Sequence, residues 1–257
     1  MLLAIDVGNT DAVFAIHDGE KFIAKWRCSS DYRRTADEYF VWLRKLMGHE
    51  GITGTINEVI ICSTVPRVVF NLRVLADRYF NCRPVVVRRN EVELGIPVRV
   101  DENTGIGPDR LANTVAAYDL YGGNVIVVDF GTATNFDVVG QDGAYEGGVI
   151  APGVNLSLRA MHEVAAALPH IDVSKPDSVI GTSTVACMQS GIYWGYISLI
   201  EGLCKRIENE RGQKMKVVGT GGLSTLFAQD LEILEIINTE LTIHGLVLIA
   251  ELNREKK

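Results

Sequence analysis

Apolar and polar positions fall into two patterns that recur along this chain. Residues 2–5 are apolar, and 12–16 (AVFAI) and 21–26 (KFIAKW) read as strands; the turn residues GNTD and HDGE between them predict an opening meander. Thr35 then starts a helical stretch in which Ala36, Tyr39, Phe40, Leu43, Leu46 and Met47 share one face, with Thr35 and Glu38 spaced as a capping box. EVIIC at 58–62 predicts a short buried strand. Pro66 opens a helix with Val69, Leu72, Leu75, Ala76 and Tyr79 on one side, and VVVR at 85–88 predicts another strand. A helix is expected from Pro108 to about Tyr121.

The opening pattern then returns. VIVV at 125–128 leads into strand-like stretches at 133–139 and 144–150, followed by helical stretches over about 153–167 and 182–211. A short strand at Val217-Val218 runs into Gly219-Thr220-Gly221-Gly222, and a closing helix is expected from about 241 to 253. Asp6-Val7-Gly8-Asn9-Thr10 and Asp129-Phe130-Gly131-Thr132 each follow an apolar strand and precede another, 123 residues apart in a chain of 257. Two meanders, each followed by helices, predict a duplicated α/β domain whose halves pack face to face with a cleft between them.

Composition narrows the function. Apolar residues make up 47% and charged residues 22%, an ordinary globular balance. The net charge of −7 does not favour nucleic acid or an anionic membrane, so a bound anion needs a local trap. The five cysteines form no CxxC pair and are expected as reduced thiols. The N-terminus lacks the basic region of a signal peptide, and no apolar run reaches the ~18 residues of a membrane span.

The two acidic turns are the leading candidates for chemistry. Glycine permits a tight turn, and backbone N–H groups there form an anion nest. An aspartate beside a phosphate needs a cation between them, so Asp6 and Asp129 read as carboxylates that hold a metal ion or its waters near a polyphosphate. GTGG at 219–222 is expected to contact phosphate at a helix N-terminus. The chain has neither GxxxxGK[ST] nor GxGxxG. Within Gly107-Pro108-Asp109-Arg110, Asp109 suits a general base that accepts a hydroxyl proton, and Arg110 suits a bidentate partner for an acceptor carboxylate.

DVGNT (6–10), TVP (64–66), GIGPDR (105–110), DFGTATNFD (129–137), GGVIAPG (147–153), GTSTVACMQSG (181–191) and GTGG (219–222) together resemble the type III pantothenate kinases of the actin/hexokinase/Hsp70-like superfamily. The resemblance spans nearly the whole chain. It implies two actin-like (ribonuclease H-like) α/β domains, over 1–117 and 118–257, with a nucleotide cleft between them. It also implies ATP-dependent phosphorylation of pantothenate, the first step of coenzyme A synthesis, in the cytoplasm. By the same resemblance, Asp6, Val7, Gly8, Asn9, Thr10, Asp11, Ala12, Val13 and Thr132 bind ATP. Gly107, Pro108, Asp109, Arg110 and Thr184 bind pantothenate, with Asp109 as the catalytic base. Asp129 holds a monovalent cation, K⁺ or NH₄⁺; Mg²⁺ accompanies ATP, and the enzyme is a homodimer.

Five positions depart from the family's usual residues: Asp11, Val100, Pro108, Asn135 and Ser183. Asp11 adds a negative charge beside the expected phosphates. Two other activities fit the same fold: a kinase for another small alcohol, and a nucleotide-binding regulator with a weakened site. Tyr193, Trp194, Tyr196 and Ile197 are expected either in a dimer seam or in the core.

Overall fold

The computed structural model of this chain describes residues 1–164 and 168–254. Its elements follow the order β1 (Leu2–Val7), β2 (Asp11–His17), β3 (Phe22–Ser29), α1 (Ala36–His49), β4 (Glu58–Ser63), α2 (Pro66–Phe80), β5 (Val85–Val86) and α3 (Pro108–Tyr121). Then come β6 (Val125–Phe130), β7 (Ala133–Val139), β8 (Tyr145–Pro152), α4 (Val154–Val164), α5 (Thr184–Arg211), β9 (Lys216–Thr220), α6 (Ser224–Phe227), β10 (Ile236–Ile237) and α7 (Leu241–Leu252). The helix expected over 153–167 is present as α4, and residues 165–167 lie outside the described residues.

The strands form two five-stranded sheets, ordered β3-β2-β1-β4-β5 and β10-β9-β6-β7-β8. In each, a three-stranded antiparallel meander continues into strands parallel to its first member. The repeat seen in the two acidic turns is therefore a repeat of sheet topology.

Contact clustering gives two compact units. The first holds 1–97, 101–116 and 241–257; the second holds 98–100 and 117–240. The expected division at 117/118 placed the whole C-terminal segment in the second half. In the structure α7 packs instead on β1 and β4. The cause is an apolar helix that fits one sheet face: Leu241, Ile243, Leu246, Val247 and Ile249 are all buried. Gly245 makes the fit possible, because a Cβ there would run into the Ala112 backbone of α3. Thr242 Oγ1 also donates to Asn113 Oδ1 at 2.7 Å.

In the first unit a core cluster lies on one side of the sheet, where Leu3, Ile5, Val7, Val59 and Ile61 meet Tyr39, Leu43, Leu72 and Leu75 of α1 and α2. The capping box of α1 is formed: Thr35 Oγ1 accepts from the Glu38 amide and Glu38 Oε2 accepts from the Thr35 amide. In the second unit Ile126, Val128 and Phe130 pack against Ile192, Tyr193, Tyr196 and Ile197 of α5. Tyr193, Tyr196 and Ile197 are thus core residues, and Tyr193 stacks on Phe227 at 5.2 Å, which removes them from a dimer seam. α5 is started by Ser183, whose hydroxyl accepts from the Ala186 amide, and stopped by Gly212 at φ 67°.

Candidate active site

The first acidic turn closes between β1 and β2. Asp6 is half-buried, with Val13 beside it on β2 and Cys62 beside it on β4. Period-2 geometry sends Leu3, Ile5 and Val7 into the core, so Asp6 stands on the opposite face. The Gly8 amide donates to the Asp11 carbonyl at 2.9 Å, leaving Asn9 and Thr10 exposed at the tip. Ser30 braces the tip: its amide donates to the Thr10 carbonyl and its hydroxyl to the Gly8 carbonyl. Val7 and Ala12 are fully buried, so their side chains do not reach the surface of this turn.

Asp11, the added charge, has a counter-ion. Arg27 Nη1 on the neighbouring strand lies 3.8 Å from Asp11 Oδ2. Both side chains are about half exposed, so the pair adds little stability, yet it offsets the carboxylate next to the turn.

Asp109 belongs to the same unit. Pro108 begins α3, where its missing N–H costs no bond, which accounts for proline at this departure. The Arg110 amide donates to Asp109 Oδ1 at 2.9 Å, and a Cβ on Gly107 would collide with the Asp109 carboxylate. Burial pushes the Asp109 carboxyl above its ordinary range, against the opposing pull of the Arg110 amide and the Arg110 charge. Cys62, fully buried, lies within electrostatic reach of both Asp6 and Asp109. The structure therefore gathers Asp6, Cys62 and Asp109 at one place in the first unit. Cys62 escaped the sequence reading because a lone cysteine on an apolar strand carries no motif.

The second acidic turn is built differently. Asp129 sits between Asn135 on β7 and Thr220 on β9. Only Gly131 and Thr132 link β6 to β7, and both are exposed. Two further glycines back onto this turn. Gly221, at φ +86°, would place a Cβ 2.7 Å from both Asp129 Oδ1 and the Phe130 carbonyl. Gly153 would drive one into the Gly131 and Thr132 carbonyls. Three of the glycine motifs thus converge on the turn that follows Asp129. GTGG does so as a close backbone wall rather than as a helix N-terminus, since α6 has only four residues.

Thr184 is the first residue of α5 and is exposed. Val100 is half-buried, with Cγ1 3.6 Å from the Cβ position of Gly147. A cavity of about 250 Å³ elsewhere in the second unit is lined by Arg159, His162, His170 and Met188 among others, and holds none of the residues above. Each turn by itself offers hard oxygen donors, the Asp6 carboxylate in the first unit and the Asp129 carboxylate with the neighbouring backbone carbonyls in the second, of the kind that suits Mg²⁺ or an alkali cation.

Comparisons with known proteins agree with this architecture. A polyphosphate/ATP-glucomannokinase from an Arthrobacter species aligns with a TM-score of 0.53 at 18% identity, covering 98% of this chain and 99% of that one. The activator of 2-hydroxyisocaproyl-CoA dehydratase from Clostridium difficile, solved with bound ADPNP, aligns with a TM-score of 0.54 at 13% identity, covering 97% of this chain and 92% of that one. At such identities these likenesses establish the fold alone: two α/β halves with the same sheet topology. Sequence relatives go further. Type III pantothenate kinases from Roseobacter denitrificans and Dinoroseobacter shibae are 60% and 61% identical over 255 residues, 99% of this chain and 99% and 100% of theirs. The family profile for type III pantothenate kinase matches residues 2–206. With the motifs in order and both acidic turns formed, the chain belongs to the type III pantothenate kinase family.

Proposed function

We propose that this protein transfers the γ-phosphoryl group of ATP to the primary hydroxyl of pantothenate, giving 4′-phosphopantothenate and ADP. The observation that carries the mechanism is Asp109. It is a desolvated carboxylate at the start of a helix, held by the Arg110 amide and grouped with Asp6. Asp109 accepts the hydroxyl proton as the oxygen forms its bond to the γ-phosphorus and the bond from that phosphorus to the β,γ-bridging oxygen breaks. Burial makes Asp109 a stronger base than an exposed carboxylate while leaving it beside a compensating arginine.

The backbone of 6–13, with the exposed Asn9 and Thr10, suits the ATP phosphates, and Thr132 suits a second contact to them. Asp6 would hold Mg²⁺, which neutralises phosphate charge when bound. Asp129 would hold K⁺ or NH₄⁺, with the carbonyls walled in by Gly153 and Gly221 at hand. Gly107, Pro108 and Arg110 would orient pantothenate, with the Arg110 guanidinium matched to its carboxylate and Thr184 adding a contact.

A homodimer is the proposed assembly. Ile150, Val179, Ile180 and Val185 expose large apolar side chains in the second unit, a surface that a second copy would cover. No helix among the described residues is long and apolar enough to cross a membrane. The substrates and the five free thiols support a cytoplasmic enzyme.

The test is a coupled assay of ADP release with and without pantothenate, in potassium and then in sodium. ADP release that requires pantothenate and is faster in potassium supports the reading. Release with another alcohol instead, or ATP binding without turnover, would overturn it. Sedimentation showing only a 28.2 kDa species would remove the dimer.

A further inference from the structure

The two sheets share a detail that no motif announces. In each, the aspartate at the end of the first strand is paired, in parallel register, with a residue that carries a hydrogen donor: Cys62 beside Asp6, and Thr220 beside Asp129. Both partners are buried, Cys62 at 0% and Thr220 at 2% exposure. Partners in such a ladder point to the same face, so each donor stands next to its carboxylate. In the first unit a second acid, Asp109, is close to the same thiol.

We propose that Cys62 is a positioning residue, whose S–H holds the Asp6 carboxylate for phosphoryl transfer. The inference rests on the kinase reading above. Two carboxylates that both lie within electrostatic reach of one thiol repel each other. A neutral donor eases this by hydrogen-bonding one of them, where a water would require space that this fully buried position lacks. The register pair places the buried thiol beside the Asp6 carboxylate, where a neutral S–H can donate to it. A thiolate would place a third negative charge at the same point. Cys62 touches no reacting atom; it acts through Asp6.

Infrared spectroscopy of the intact protein tests the bond itself. One S–H stretching band should lie below those of the other four thiols, vanish in Cys62→Ser and move upward in Asp6→Asn. Kinetics test the role. Cys62→Ser, which keeps a donor, should recover kcat to within about threefold of the parent. Cys62→Ala and Cys62→Val should lose roughly tenfold in kcat while KM for pantothenate stays within about twofold. A folded Ala or Val variant with the parent's kcat, a Ser variant as impaired as Ala, or no shifted band would each overturn the proposal. Should neither apolar variant fold, the band alone decides. Undiminished turnover in Asp6→Asn and Asp109→Asn would instead overturn the kinase reading, leaving the band still informative.

Discussion

The two acidic turns hold the same place in two sheets of the same topology, yet they are built on different means. The first spans Gly8-Asn9-Thr10 and is braced by side chains, with Ser30 bonding the tip and Cys62 paired beside the aspartate. The second is one residue shorter and is braced by backbone, with Gly153 and Gly221 pressed against it. A side-chain brace tolerates substitution of its glycine. A backbone brace does not, because no Cβ fits between two main chains. Duplication kept the position of the carboxylate and let its surroundings diverge, as expected if one turn faces phosphates and the other a cation.

The comparison can be broken most severely from outside the turns. Ending the chain at Glu240 removes α7 and exposes the β1–β4 face on which Asp6 and Cys62 stand. Each buried apolar side chain of α7 contributes about 1.5–3 kcal/mol, and five of them together rival the whole stability of a typical domain. The expected outcome is loss of cooperative unfolding by circular dichroism, and a truncated chain with the full-length melting temperature would show that α7 is dispensable.

Within the turns, Gly221→Ala should cost about 1–3 kcal/mol, combining a left-handed backbone with a clash at Asp129. Gly8→Ala should cost under about 1 kcal/mol, since its Cβ would meet only the Asp11 carbonyl at 3.5 Å. Denaturant titration of both variants checks the contrast, and equal losses would erase it. Asp129→Ala should abolish any preference for potassium over sodium while leaving the first turn intact.

A subtler effect concerns Asp109 and pH. Its folded carboxyl titrates above the unfolded one, so its contribution to stability is present at low pH and is lost as pH rises through the folded value. Asp109→Asn should therefore melt no lower than the parent at pH 7, with any advantage shrinking as the pH falls into the carboxylate range. Melting curves across that range check the sign. The smallest effect is expected at Asp11→Asn, which should change stability by about 0–1 kcal/mol because the pair with Arg27 is exposed.

The sequence made much of this legible and left specific things hidden. Strand alternation and the repeated DxGxT turn reveal the two meanders, and Thr35 with Glu38 marks the start of α1 to the residue. The ownership of α7 was hidden, because an almost wholly apolar helix has no face that names its partner. GTGG reads as a helix N-terminus until the following helix proves only four residues long. β10 is too short at two residues to carry a period. At the site, Asp6, Asp109 and Asp129 stand out by motif, whereas Cys62 and the register that pairs it with Asp6 emerge only when β4 is placed beside β1.

The central claim is that Asp109 takes the proton of the alcohol that receives the phosphoryl group. The most direct measurement follows ADP and phosphopantothenate together in Asp109→Asn, with the ATP dissociation constant determined on the same sample. The account predicts that both products fall in step by at least about 10²-fold while ATP binding changes little. Product formation at the parent's rate, with the variant's ATP affinity intact, would contradict it.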